Sequence, residues 1–298
     1  MPNTRSLDEI RTALQDCYTN IEALCADLSD AQWQKQSLCP DWNVRDVVNH
    51  VTSIEAVMAG WLPEDDKTPP PFERAAEFLG ETEGGNPAFV DKVRAVYDRL
   101  GIDCAPTFEA AVIAYLGARP KGARGQHQYS VTDTGLDLAA LTDADLARPS
   151  WMPVGPGTYG RFLEIRVFDF WVHERDITTA LGRKTDDTGI AAEIALAEVE
   201  GSIGYIAGKK VGVPDGKSIT FRLTGPIVRD INVAVDGRAK RIGRLDNPDA
   251  TLITDSTTFI QLACGRIDPQ VPIDSGAVSW QGDDELGERA ARNLRFTM

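Results

Sequence analysis

Apolar residues early in the chain recur at spacings of three and four. Within residues 5–30, Leu7, Ile10, Leu14, Tyr18, Ile21 and Leu24 mark the buried stripe of an amphipathic helix. Pro40 and Asp41 then serve as start signals. Val44, Val47, Val48, Val51, Ile54, Val57, Met58, Trp61 and Leu62 keep the same period up to Pro63, which predicts a second, strongly buried helix. LPEDDKTPPPF (62–72) reads as an extended connector. Helical spacing returns at 87–101 and 107–117. Residues 118–160 read as a long excursion, with a short helix at 135–147 and a loop in PVGPGTYG (153–160). A well-marked helix follows at 160–182, stopped by Gly182.

Beyond this point the period changes. Residues 187–207 are Ala-rich and helical, whereas SITFRL, INVAVD and ATLITD carry β-branched residues between Gly, Pro and Asp turn signals and predict strands. TTFIQLACGRI and ELGERAARNL return to helical spacing. The expected architecture is a helical bundle at 1–184 followed by a smaller α+β domain at 185–298, with no internal repeat. A chain of 298 residues, 42% of them hydrophobic, can fill two modest cores.

Charge narrows the range of partners. With 31 Lys and Arg against 45 Asp and Glu, the formal charge is −14. Nucleic acid and anionic membrane surfaces would be repelled on average, although a local basic pocket could still take a small anion. No apolar run is long enough to span a bilayer, and the polar start MPNTRSLDEIRTAL lacks the apolar centre of a signal peptide, so the expected location is cytoplasmic. The five scattered cysteines, Cys17, Cys25, Cys39, Cys104 and Cys264, form no C-x-x-C pair and are expected to be reduced.

The chemistry concentrates in VFDFWVHERDI (167–177), where Asp169, His173, Arg175 and Asp176 interrupt an apolar helix. At about 100° per residue, Phe162, Ile165, Arg166, Asp169, His173, Asp176, Ile177 and Ala180 share one stripe. The opposite side, with Phe168, Trp171 and Val172, is also apolar. Of the three histidines, His50, His127 and His173, the first lies on the stripe of Val47, Ile54, Val57 and Trp61. An Asp-x-x-x-His pair on one helix face and a His from a neighbouring helix can bind one divalent ion, such as Zn²⁺, Fe²⁺, Ni²⁺ or Mn²⁺. The same residues could instead be hydrogen-bonded core histidines, with Asp169 paired to Arg166 or Arg175. Spacing alone leaves both readings open.

CPDWNVRDVVNHV, around His50, resembles the Cys-Pro-Gly-Trp-x-Val-x-Asp-x-x-x-His opening of the mycothiol-dependent maleylpyruvate isomerase family, within the DinB-like metal-dependent thiol transferase superfamily. RVFDFWVHERDITTALG is similar to that family's Arg-x-x-Glu-x-x-x-His-x-x-Asp helix, and TTFIQLACGRID to the Leu-x-x-Gly-Arg stretch of its second domain. The resemblance implies a DinB-like four-helix bundle followed by a sterol-carrier-like α+β domain. By match, the implied metal ligands are His50, Asp169 and His173. It also implies a divalent metal, Zn²⁺ by preference, and mycothiol or a similar thiol as cosubstrate for isomerising or conjugating a small electrophile. The sequence departs from the pattern at Asp169, where the family has Glu, and at Asp41, where it has Gly. The shorter carboxylate has to sit closer to an ion. The same ligand set would also suit a metal-dependent hydrolase, or a metal-containing protein that binds a small molecule without chemistry.

Other signals are weaker. Arg266, in CGRID, could offer a guanidinium to an anionic substrate or form a surface salt bridge. GPGTYG (155–160) fits G-x-G-x-x-G with Asp176 about twenty residues on, but a dinucleotide site needs a βαβ setting. His127 reads as an exposed loop residue. Counting about 1.5 Å per residue along a helix puts Cys39 about 16 Å from His50, so Cys39 is expected to be a small buried residue away from the ion. Asp46 and Asp176 are equally readable as partners of ligand imidazoles or as solvated acids.

Overall fold

The computed structural model describes residues 5–40, 42–48, 50–51, 138–152 and 155–297, without the side chains of 149–156. The expected helices at 87–101 and 107–117, the connector at 62–72, the far part of the second helix and His127 lie outside the described residues. The chain divides into two compact units, Met1–Lys184 and Thr185–Met298.

In the first unit, α1 (Leu7–Cys25) starts at a reciprocal cap in which Ser6 Oγ accepts from Glu9 N while Glu9 Oε2 accepts from Ser6 N. Its stripe, including Ile10, Leu14, Tyr18, Ile21 and Leu24, is buried. The helix spans the whole apolar stripe from Leu7 to Leu24. Ser29 and Gln32 form a second reciprocal cap that opens α2 (Asp30–Trp33), so the chain turns at 26–28. Residues 44–48 and 50–51 are helical and form α3. Asn43 and Asp46 cap its start by exchanging bonds of 3.0 Å, backbone N–H to side-chain oxygen in each direction. Asp46 Oδ2 is engaged in this cap.

The short helix expected at 135–147 is reduced, among the described residues, to α4 (Asp143–Leu146). The expected loop at 153–160 is also different: β1 (Pro149–Met152) and β2 (Gly155–Thr158) form an antiparallel hairpin. Because that pairing is antiparallel, GPGTYG has no βαβ setting. The hairpin leads into α5 (Tyr159–Leu181), where Thr158 Oγ1 accepts from Arg161 N. Gly182 ends the helix in the left-handed region at φ 68°. Leu163, Val167, Phe170 and Ile177 are almost fully buried, and the Tyr18 and Phe170 rings meet edge to face at 5.3 Å, locking α5 against α1.

The second unit opens with α6 (Gly189–Gly201), α7 (Ile203–Tyr205) and a π-helical turn at Ile206–Val211. A five-stranded sheet follows in the order β5-β4-β3-β6-β7. Its strands are β3 (Ser218–Thr224), β4 (Arg229–Asp236), β5 (Arg238–Ile242), β6 (Ala250–Asp255) and β7 (Ser279–Gly282). β3 and β6 are parallel and the other pairs antiparallel. Ile219, Phe221 and Leu223 alternate inward on β3, and Phe221 meets Phe259 of α8 (Ser256–Ala263) with ring centroids 5.6 Å apart. Helices α9 (Gln270–Asp274) and α10 (Asp284–Arg292) complete the unit.

Nothing crowds the position of a Cβ on Gly182, so only its positive φ resists substitution. Gly182→Ala should destabilise the chain by about 1 kcal/mol, read as a lower urea midpoint with an unchanged slope.

Candidate metal centre

α5 presents Asp169 and His173 one turn apart, and α3 brings His50 to the same place. His50 Nε2 lies 3.1 Å from Asp169 Oδ2, and His173 Nε2 lies 3.3 Å from Asp169 Oδ1. One donor atom from each residue falls within 4.8 Å of the other two. Ligand atoms about 2.1 Å from a zinc ion and separated by the tetrahedral angle sit about 3.4 Å apart. The set of two imidazoles and a carboxylate therefore fits a divalent cation in both spacing and chemistry.

The two histidines are buried, whereas the Asp169 side chain keeps 24% exposure. Arg166, itself buried, pairs with Asp169 at 2.5 Å through Nη1 and donates from Nη2 to the Val51 carbonyl at 3.1 Å, which ties α5 to α3. The ion pair that the sequence offered as an alternative thus coexists with the two imidazoles on one carboxylate. Arg175 takes no part in it; its guanidinium lies over the Trp171 ring and donates to the Trp171 carbonyl.

Residues 36–40 and 42 approach α5 and the two histidines. Leu38 N donates to the Asp176 carbonyl at 3.1 Å, and Trp42 sets its ring 5.2 Å from that of His50 and 6.2 Å from that of His173, by centroids. Cys39 Sγ reaches within 3.8 Å of His173 Nδ1. The distance expected from helical spacing fails here because the chain becomes helical only after Asn43, and the loop folds back toward α5. Asp176 is fully buried, with Oδ2 2.8 Å from His173 Nδ1. Arg266 belongs to the second unit, where its Nη1 donates to the Cys264 carbonyl at 3.0 Å. Sequence reasoning missed Cys39 and Trp42 as neighbours of the histidines, although both stand in the CPDW stretch that carries the resemblance.

Electrostatics follow from this crowding. Burial works against the Asp169 carboxylate, but the charges of His50, His173 and Arg166 outweigh it and hold its pKa well below the usual range. Burial likewise opposes protonation of His173, yet the Asp169 charge and hydrogen bonds to Asp169, Asp176 and Cys39 raise its pKa well above the ordinary imidazole value. Without an ion, the centre is a proton-holding cluster.

A helical unit with a two-histidine, one-carboxylate cluster, followed by an α+β unit, defines a two-part chain with a candidate metal centre in the first part. A family model described as the mycothiol maleylpyruvate isomerase N-terminal domain matches residues 14–178, more than half of the chain. The chain belongs to that family. Among solved structures it is similar to the mycothiol-dependent maleylpyruvate isomerase, at 15% identity and TM-score 0.55, with 93% of each chain covered. A histidine-to-alanine mutant of the mycothiol-dependent maleylpyruvate isomerase matches at 14% identity with the same TM-score and coverage. At these identities the likeness is one of fold. No curated protein matches the chain. Among the described residues, no helix is long and apolar enough to cross a membrane.

The raised His173 value fixes a sign. In metal-free protein the folded chain holds that proton more tightly than the unfolded chain. The resulting stability is fully present below the ordinary value of 6.5 and is lost as pH rises through the folded value. Asp169 acts oppositely: its contribution is present above 3.8 and is lost as pH falls through the folded value. After chelation, the stability advantage of the wild type over His173→Gln should therefore shrink as pH rises above 6.5 in urea titrations. A gap that stays constant over that range would contradict the assignment.

Proposed function

We propose that His50, Asp169 and His173 hold one divalent ion, zinc by preference, and that the chain uses a low-molecular-weight thiol of the mycothiol type to isomerise or conjugate a small electrophile. The observation that carries this reading is the convergence of both Nε2 atoms on one carboxylate at 3.1 and 3.3 Å. Family membership supports the thiol as cosubstrate. In this reading the first unit is a DinB-like four-helix bundle and the second a sterol-carrier-like domain.

A divalent ion at this place would supply the positive charge that favours thiolate over thiol near neutral pH. The chain's own residues do the rest. His50 and His173 offer neutral nitrogen donors, and Asp169 adds one negative charge, which Arg166 offsets through its ion pair. Trp42 lies beside both rings, so that water approaches the imidazoles less freely on that side. Addition of the thiol sulfur to an unsaturated acid, bond rotation and loss of the same thiol amount to cis–trans isomerisation; addition alone yields a thioether. Arg266 is assigned to orient a substrate carboxylate.

The test is a panel of thiols and electrophiles assayed with and without added zinc, run alongside elemental analysis. Wild-type protein should carry close to one divalent ion per chain and turn over only when thiol is present. His50→Ala should lose that turnover while keeping its fold, and Arg266→Ala should raise KM for carboxylate substrates severalfold without altering metal content. Full turnover by metal-free protein would overturn the reading.

A further inference from the structure

Asp176 is a buried acid that the ligand set does not use. Its Oδ2 stands 2.8 Å from His173 Nδ1 and 3.0 Å from Cys39 Sγ. The loop that delivers Cys39 is itself fixed. Cys39 N donates to Ser37 Oγ at 3.0 Å, and Gln36 Nε2 donates to the carbonyls of Cys39 at 2.7 Å and Trp42 at 2.8 Å. These bonds brace the loop internally, and the bond from Leu38 N to the Asp176 carbonyl fastens it to α5.

We propose that Asp176 and Cys39 are positioning residues for His173. The Asp176 carboxylate accepts the imidazole Nδ1–H, and the Cys39 thiol, donating to the same oxygen, restrains that carboxylate. The ring is thereby held with Nε2 turned toward Asp169 and His50. This goes beyond the ligand assignment and rests on it for the metal. A histidine that binds through one nitrogen needs an acceptor on the other to fix its rotation, and loss of such an acceptor commonly weakens metal binding about ten- to hundredfold. Cys39 is 6% exposed, so water reaches the Asp176 oxygen poorly as a substitute donor.

Cys39, His173 and Asp176 also form a three-donor group whose atoms lie within 4.8 Å of one another. A second ion there would be bridged to the first through the His173 ring. Cys39 Sγ and His173 Nδ1, 3.8 Å apart, would allow it, but the two separations from Asp176 Oδ2 argue against it. Zinc ligands would stand about 3.4 Å apart, and farther where sulfur at about 2.3 Å from the ion is involved. Contacts of 2.8 and 3.0 Å are those of shared protons.

The chain has three histidines, so ¹⁵N-histidine labelling gives a simple imidazole spectrum. In metal-free wild-type protein, the His173 Nδ1 proton should appear downfield and exchange slowly. In Asp176→Asn it should move upfield and exchange faster. In zinc competition titrations, Asp176→Asn should bind about tenfold or more weakly. Cys39→Ala should lose affinity severalfold, and Cys39→Ser, which keeps a donor, should recover most of it. If Asp176→Asn fails to fold, the Cys39 pair of variants decides the matter. Wild-type affinity in both Asp176→Asn and Cys39→Ala, or an unmoved His173 proton, overturns the proposal. So does a second zinc per chain that disappears in Cys39→Ala. Should the wild type take up no zinc, the metal reading falls, and the His173 proton in metal-free protein still judges the positioning role.

Discussion

Two imidazoles and a guanidinium converge on the Asp169 carboxylate inside the helical unit, and that convergence sets the terms for the elements around it. Asp169 is only partly exposed, and withdrawing a carboxylate from water without compensation is costly. Here the compensation comes from two separate helices, so α3 and α5 have to stay in register for the centre to exist. The bond from Arg166 to the Val51 carbonyl ties α5 to α3, and the packing of Phe170 on Tyr18 holds α5 against α1. The polar residues of VFDFWVHERDI tolerate an apolar helix because nearly all of them face a partner: Asp169 three cationic or titratable groups, His173 two acids, Arg175 an aromatic face.

The centre is layered. Around His173, Asp169 lies on the Nε2 side, while Asp176 and Cys39 lie on the Nδ1 side, held by the 36–42 loop. Although the acid at position 169 is short, both histidines approach its carboxylate, at 3.1 and 3.3 Å. The stretch that carries the cluster lies within residues 14–178, which match the mycothiol maleylpyruvate isomerase N-terminal domain family.

Periodicity made the long elements legible. The stripe from Leu7 to Leu24 marked α1, and Gly182 marked the end of α5, because burial of one helix face leaves a strong three-and-four pattern. Strands with alternating cores, such as Ile219, Phe221 and Leu223, were equally clear. β5 was not, since RAKRI is an edge strand whose three basic side chains are exposed and interrupt any alternating apolar signal. The β1–β2 hairpin was hidden by the Gly and Pro residues of MPVGPGT, which read as a loop. Helical spacing aligns Asp169 with His173 and puts His50 on an apolar stripe of its own helix, but spacing left the metal reading open, and the family motif singled out the three together. Cys39 could not be placed by such spacing, because a folded-back loop brings it to His173 and local sequence carries no measure of that path.

The most direct measurement is X-ray absorption at the zinc edge on protein loaded with one equivalent of the metal. The account predicts an inner shell of two imidazole nitrogens and carboxylate oxygen at about 2.0–2.2 Å, without a sulfur from the protein, and loss of one imidazole in His50→Ala. A shell containing the Cys39 sulfur at about 2.3 Å, or one unchanged by His50→Ala, would contradict it.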